Sequence, residues 1–70
     1  MKTIPFEIKD DYIELIKLLK ATGMCSTGGR AKIAIVQGEV QVDGETEFRK
    51  RRKIRKGMTV RCGETVIQIL

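Results

Sequence analysis

Seventy residues with 14 Lys and Arg against 9 Asp and Glu, a net charge of +5, make room for one small domain with a thin core. At 41% apolar and 33% charged residues the composition is that of a folded protein and not of a disordered tail. The absence of histidine excludes His-based triads, proton shuttles and His-ligated metals, and Cys25 and Cys62 lie far apart, outside any Cys-x-x-Cys pair, so they cannot close a zinc site.

Near the N-terminus Ile4, Phe6 and Ile8 alternate with Thr3, Pro5, Glu7 and Lys9, the period of a strand with one buried face. Pro5 cannot donate to a ladder, which assigns this strand to a sheet edge. Asp10 and Asp11 suit a helix N-cap and first turn; Tyr12, Leu15, Ile16 and Leu19 then recur at offsets of three and four. The spacing predicts an amphipathic helix with Tyr12 on its inward stripe, stopped by Gly23 in the left-handed conformation. Ser26 or Thr27 is a suitable N-cap for a second helix from about Gly29 through Gln37, closed by Gly38. Its stripe of Ala31, Ala34 and Ile35 is small enough to let it approach the first helix closely.

Val40-Gln41-Val42 alternates, and Asp43-Gly44 behind it is a two-residue hairpin signal. After the basic segment, Lys56-Gly57 marks a turn, Met58, Val60 and Cys62 alternate with Thr59 and Arg61, Gly63-Glu64 turns again, and Val66 to Leu70 forms a final apolar strand. The expected fold class is α+β: a small single domain spanning residues 1–70, with two packed helices against a short, mostly antiparallel sheet. The longest apolar run, Ile33 to Val36, is far too short to span a bilayer, and no signal-peptide core is present, so we expect a cytoplasmic protein with reduced cysteines. Each cysteine reads as a small hydrophobe, although the sequence leaves a disulfide open.

Charge is distributed very unevenly. Arg49, Lys50, Arg51, Arg52, Lys53, Arg55 and Lys56 fill seven of eight consecutive positions, and Arg61 makes them eight of the 14 cations. The remaining 6 basic and 9 acidic residues sum to −3, so the net charge of the chain belongs to this segment. Ordering so many like charges raises their repulsion unless a polyanion relieves it, and nucleic acid fits that partner. Ile54 should be the inward anchor of the run, with Phe48 as a second. Ser26-Thr27-Gly28-Gly29-Arg30 adds a helix start whose amides and dipole attract phosphate, reinforced by Lys32 and Arg30, although it also reads as an ordinary cap and turn and lacks Walker-loop spacing. Nothing resembles a catalytic centre: there is no Gly-x-Ser-x-Gly elbow and no acid/base carboxylate pair, and Asp43 reads as a turn residue.

Leu18 to Gly23, followed by Thr27-Gly28-Gly29-Arg30-Ala31-Lys32 and on through Gly38-Glu39-Val40-Gln41-Val42-Asp43-Gly44, resembles the S-four RNA-binding domain family, named after a small-subunit ribosomal protein. Lys56-Gly57 ahead of Met58-Thr59-Val60 matches that family's basic-Gly turn. The likeness covers about residues 11 to 62, and over the full length is strongest to the small stand-alone YbcJ-like group. It implies the αL RNA-binding motif and a non-enzymatic protein without cofactor, metal or small-molecule substrate. Structured RNA would be bound, ribosomal RNA or another stem or junction RNA, by a monomer. Position by position, the resemblance puts the helix-start hydroxyl on Thr27 and the basic contacts on Arg30, Lys32 and the run after Phe48. Many members carry Arg directly after the capping Ser; this chain has Gly28, which shifts binding toward the basic run. Thr27 to Lys32 and the run are then expected to form the two walls of an RNA cleft. With few aromatic residues, and Tyr12 and Phe6 facing inward, RNA shape and phosphate would be read more than bases. The competing readings are a protein adaptor docking on ribosomal or other acidic partners, and a DNA-binding module. A helix-turn-helix would join its helices by about 3 to 4 residues, fewer than the chain has between Gly23 and the second helix.

Overall fold

The structure, a computed structural model, describes residues 2–23 and 28–70. Its elements in chain order are β1 (Lys2–Phe6), β2 (Ile13–Glu14), α1 (Leu15–Ala21), α2 (Gly28–Val36), β3 (Val40–Val42), β4 (Glu45–Thr46), β5 (Lys53–Ile54), β6 (Thr59–Cys62) and β7 (Thr65–Ile69). Five strands form one sheet in the order β1-β7-β6-β3-β4, and β2 and β5 pair separately. Among the described residues only β1 and β7 run parallel, and the other pairings are antiparallel. The result is two helices with a mostly antiparallel sheet. Pro5 lies in the edge strand β1, where its missing N–H breaks no inner ladder.

The alternation of the strands sorts their side chains. Val40 and Val42 of β3, Val60 of β6 and Ile67 and Ile69 of β7 are buried, and they form one cluster with Leu15, Leu18 and Leu19 of α1, Ala31 and Ile35 of α2, Ile8 and Ile54. The two helices touch each other, as the small stripe of α2 predicts. Phe6, Ile4 and Cys62 are half-buried against this core. Among the described residues no polar or charged residue is buried.

The turns follow the sequence closely. In the Asp43-Gly44 loop both residues take positive φ, 52° and 86°, the type I′ geometry whose twist matches an antiparallel pair. Asp43 does more than turn the chain: its N–H donates to the Thr59 carbonyl (2.8 Å), and its carboxylate accepts from the Thr59 N–H (2.9 Å), which fastens the hairpin to β6. At the end of α2, Gly38 at φ 77° lets its N–H reach the Ile35 carbonyl and the Glu39 N–H reach that of Ala34, a Schellman stop.

The first helix corrects the sequence expectation. It begins at Leu15, not at Asp10-Asp11, and Glu14 at its N-cap makes no side-chain cap bond. Ile13 and Glu14 are extended instead and pair with Ile54 and Lys53. The Leu15 N–H donates to the Arg52 carbonyl (2.9 Å) and the Ile16 N–H to the Lys50 carbonyl (3.0 Å), so main-chain oxygens from a distant segment do the work of a capping side chain. Tyr12 therefore leaves the helical stripe and is 40% exposed. The proposed caps of the second helix, Ser26 and Thr27, lie outside the described residues, as does Cys25.

Two expected outcomes test this frame. Replacing fully buried Ile54 with Ala should cost about 2–5 kcal/mol of unfolding free energy, read from urea denaturation; a loss near zero would mean that the segment is not anchored. Gly44 has open space around its Cβ position, so Gly44→Ala should lose about 1–2 kcal/mol from positive φ alone. Gly44→Asn should lose clearly less by the same measurement.

Candidate nucleic-acid interface

The basic segment is held by its backbone and displayed by its side chains. The carbonyls of Lys50 and Arg52 face the start of α1, Lys53 and Ile54 form β5, and the Ile54 side chain is fully buried. Ile54 is thus the inward anchor expected. Phe48 is not a second one: it is 61% exposed, with its ring beside Gly38. A Phe at this point sits outside the β4 ladder, where nothing draws it into the core.

Arg49, Lys50, Arg51, Arg52 and Lys53 line an open hollow of about 510 Å³. Lys50, Arg51, Arg55 and Lys56 are exposed and have no carboxylate within ion-pair distance among the described residues. Arg30 and Lys32 are exposed on α2, whose first residue is Gly28, while Thr27 lies outside the described residues. Arg61 stands apart from the run, on β6, in register with Gln41 and Val66 and on the sheet face opposite buried Val60; its Nε donates to the Gly63 carbonyl (3.3 Å). Among the described residues no group of three or more Cys, Asp or Glu could hold a metal ion, and no helix is long and apolar enough to cross a membrane.

The run is not free of compensating acid. Glu47 receives Nε and a terminal nitrogen of Arg49 at 3.1 and 3.3 Å, plus the Arg49 N–H at 3.1 Å, and lies 3.5 Å from Arg52 Nε. That Arg52 atom is shielded from solvent and has no hydrogen-bond partner, so Glu47 is its counter-charge through space. The hydrogen bond from Arg49 holds the Glu47 carboxyl below its ordinary value of 4.5, against a smaller upward push from burial. The same pairing raises Arg49. Two of the seven cations are thereby partly neutralised and fixed in direction. The signal was local, an acid two residues before Arg49, but counting charge only from Arg49 onward passes over it.

Tyr12 was also missed. Its ring has Lys53 Nζ at 5.0 Å and the Arg55 guanidinium carbon at 5.8 Å from the centroid, close enough for cation–π attraction. A two-residue strand is too short to declare itself by alternation, and its partner residues lie 39 and 41 positions away in sequence, so no local pattern marks it.

A depressed carboxyl contributes stability above its unfolded value and loses it as pH falls through the folded one. Glu47→Gln should therefore lower the urea midpoint slightly at pH 7, and the gap from the parent should close as pH falls below 4.5. An equal gap at pH 7 and pH 3 would assign the effect to something other than this ion pair.

Comparison with known proteins agrees with the geometry. The "Putative RNA-binding protein YbcJ" of Escherichia coli K12 is 45% identical over 62 residues, 89% of each chain. Its namesake in Shigella flexneri matches at the same 45% identity and 89% coverage. The solution structure of E. coli YbcJ, reported to reveal an αL motif involved in RNA binding, superposes with a TM-score of 0.71 at 43% identity, covering 100% of this chain and 87% of that one. The S4 domain model matches residues 6–70. With nearly the whole chain inside that match, the protein belongs to the S4 domain family.

Proposed function

We propose that this protein is a non-catalytic RNA-binding domain spanning residues 1–70, which grips structured RNA, ribosomal or another stem or junction RNA, through its basic surface. One observation carries the reading: cations crowd onto a segment whose backbone is tied to α1 and anchored by Ile54, so the charge is presented and not merely tethered. Membership in the S4 domain family and the RNA-binding description of its E. coli relative support the same reading. Lys50, Arg51, Lys53, Arg55 and Lys56 supply the main phosphate contacts. Arg49 and Arg52, oriented by Glu47, add forked donors, which suit phosphate better than a point charge. Arg30 and Lys32 on α2, with Gly28 at its start and the hydroxyl of Thr27 that the family resemblance assigns, form a second, weaker wall, and Arg61 contributes from the sheet. The protein acts as a cytoplasmic monomer with its helices packed against the sheet, a packing supported by the single cluster their buried residues share.

The mechanism is electrostatic. Each neutralised phosphate releases condensed counterions, so log K should fall with log salt by about 0.7 to 0.9 per contact. Binding of a hairpin RNA measured across a salt series should show a slope of several contacts, and Lys50→Ala with Arg51→Ala should weaken binding and flatten the slope by about 1.5. A salt-independent complex, or easy displacement of the hairpin by duplex DNA of equal length, would sink the reading.

A further inference from the structure

The β2–β5 ribbon pairs Ile13 with Ile54 and Glu14 with Lys53, and continuing that register by one residue sets Tyr12 opposite Arg55. Side chains alternate across a strand. Ile54 is buried and Ile13 packs on the core, so Tyr12, Glu14, Lys53 and Arg55 share the outer face. Tyr12 is 40% exposed there, with Lys53 Nζ and the Arg55 guanidinium over its ring, and it borders a hollow of about 480 Å³ together with Asp10, Ile13, Glu14 and Lys17. A core tyrosine hides its ring, whereas this ring is presented on a charged surface continuous with the basic run.

We infer that Tyr12 is the stacking platform for one unpaired RNA base, with Lys53 and Arg55 holding the phosphates that flank it; this rests on the RNA-binding reading above. A base needs a flat π-face, and its backbone needs cations a few ångströms from that face; the ribbon supplies both from residues fixed in register. Lys53 and Arg55 are long and exposed, so they can turn from the ring to phosphate when a base arrives. The ring has few rotatable bonds and loses little entropy when covered. Beside the hollow Glu14 is paired with Lys17 at 3.6 Å, which leaves Lys53 and Arg55, the cations over the ring, to take the backbone phosphates. The base must be unpaired, because within a helix its faces are covered by its neighbours. Stacking on one aromatic side chain tolerates any base but discriminates between a bulge, loop or end and a perfect stem.

Tyr12 is the only tyrosine of the chain and there is no tryptophan, so intrinsic emission reports on this ring alone. Titrating the protein with a hairpin RNA carrying one bulged nucleotide should quench that emission more than titrating with the same stem fully paired, after correction for absorbance by the RNA. Tyr12→Leu should weaken binding of the bulged hairpin by about 5- to 150-fold, the range that one base–aromatic stack spans, and should weaken the paired stem far less. Tyr12→Phe should keep the affinity within about twofold, since the face and not the hydroxyl is used. Equal affinity of the parent and Tyr12→Leu for the bulged hairpin, with the salt dependence intact, would overturn the platform and leave phosphate binding standing. Equal quenching by the two RNAs would overturn it as well, without relying on any variant. Failure of the parent to bind either RNA would overturn the RNA reading itself, and the platform with it.

Discussion

Two hydrogen bonds join parts of the chain that sequence distance keeps apart: the first amides of α1, at Leu15 and Ile16, donate to the carbonyls of Arg52 and Lys50. A helix start leaves orphan donors that must find acceptors, and here no side chain answers. The acceptors come from the middle of the basic segment. This choice is electrostatically awkward, since the helix start carries partial positive charge and the segment carries full positive charges. It stands because the carbonyls point at the helix while the charged ends point outward, and because Ile54 buries its side chain in the core just beyond.

From that attachment the character of the surface follows. A free loop of like charges would spread to lower its repulsion and would have to be ordered on binding. This one is ordered in advance, by main-chain bonds on one side, by β5 and Ile54 on the other, and by Glu47 gripping Arg49 at its entrance. The folded state carries the repulsion so that a polyanion meets cations already in place. Glu47 relieves part of that repulsion without hiding Lys50 or Arg51, which remain exposed.

Local signals were legible and non-local ones were not. The Asp43-Gly44 hairpin, the Gly23 and Gly38 stops, the edge placement of Pro5, the inward Ile54 and the stripe of Ala31 and Ile35 could all be read from spacing, because each depends on residues within a few positions. The start of α1 could not. Asp10 and Asp11 make a convincing cap by composition, and Tyr12 fits the helical stripe, but pairing of Ile13 and Glu14 with Ile54 and Lys53 overrides both preferences. Tertiary pairing decided the conformation of Ile13 and Glu14, and with it the place of Tyr12. Tyr12 thereby moved from the core to the charged face, and the surface gained an aromatic ring that helical spacing assigned to the interior.

The parallel pairing of β1 with β7 bears on how the chain acquires its shape. β7 sits between β1 and β6, so residues 2–6 can find no partner in the sheet until residues 65–69 have been made. During synthesis from the N-terminus the helices, the hairpin and the basic segment all precede that closing strand. Until β7 docks, β6 lacks one neighbour and β1 has none, so Val60 and the core behind it are closed off only when residues 65–69 are in place.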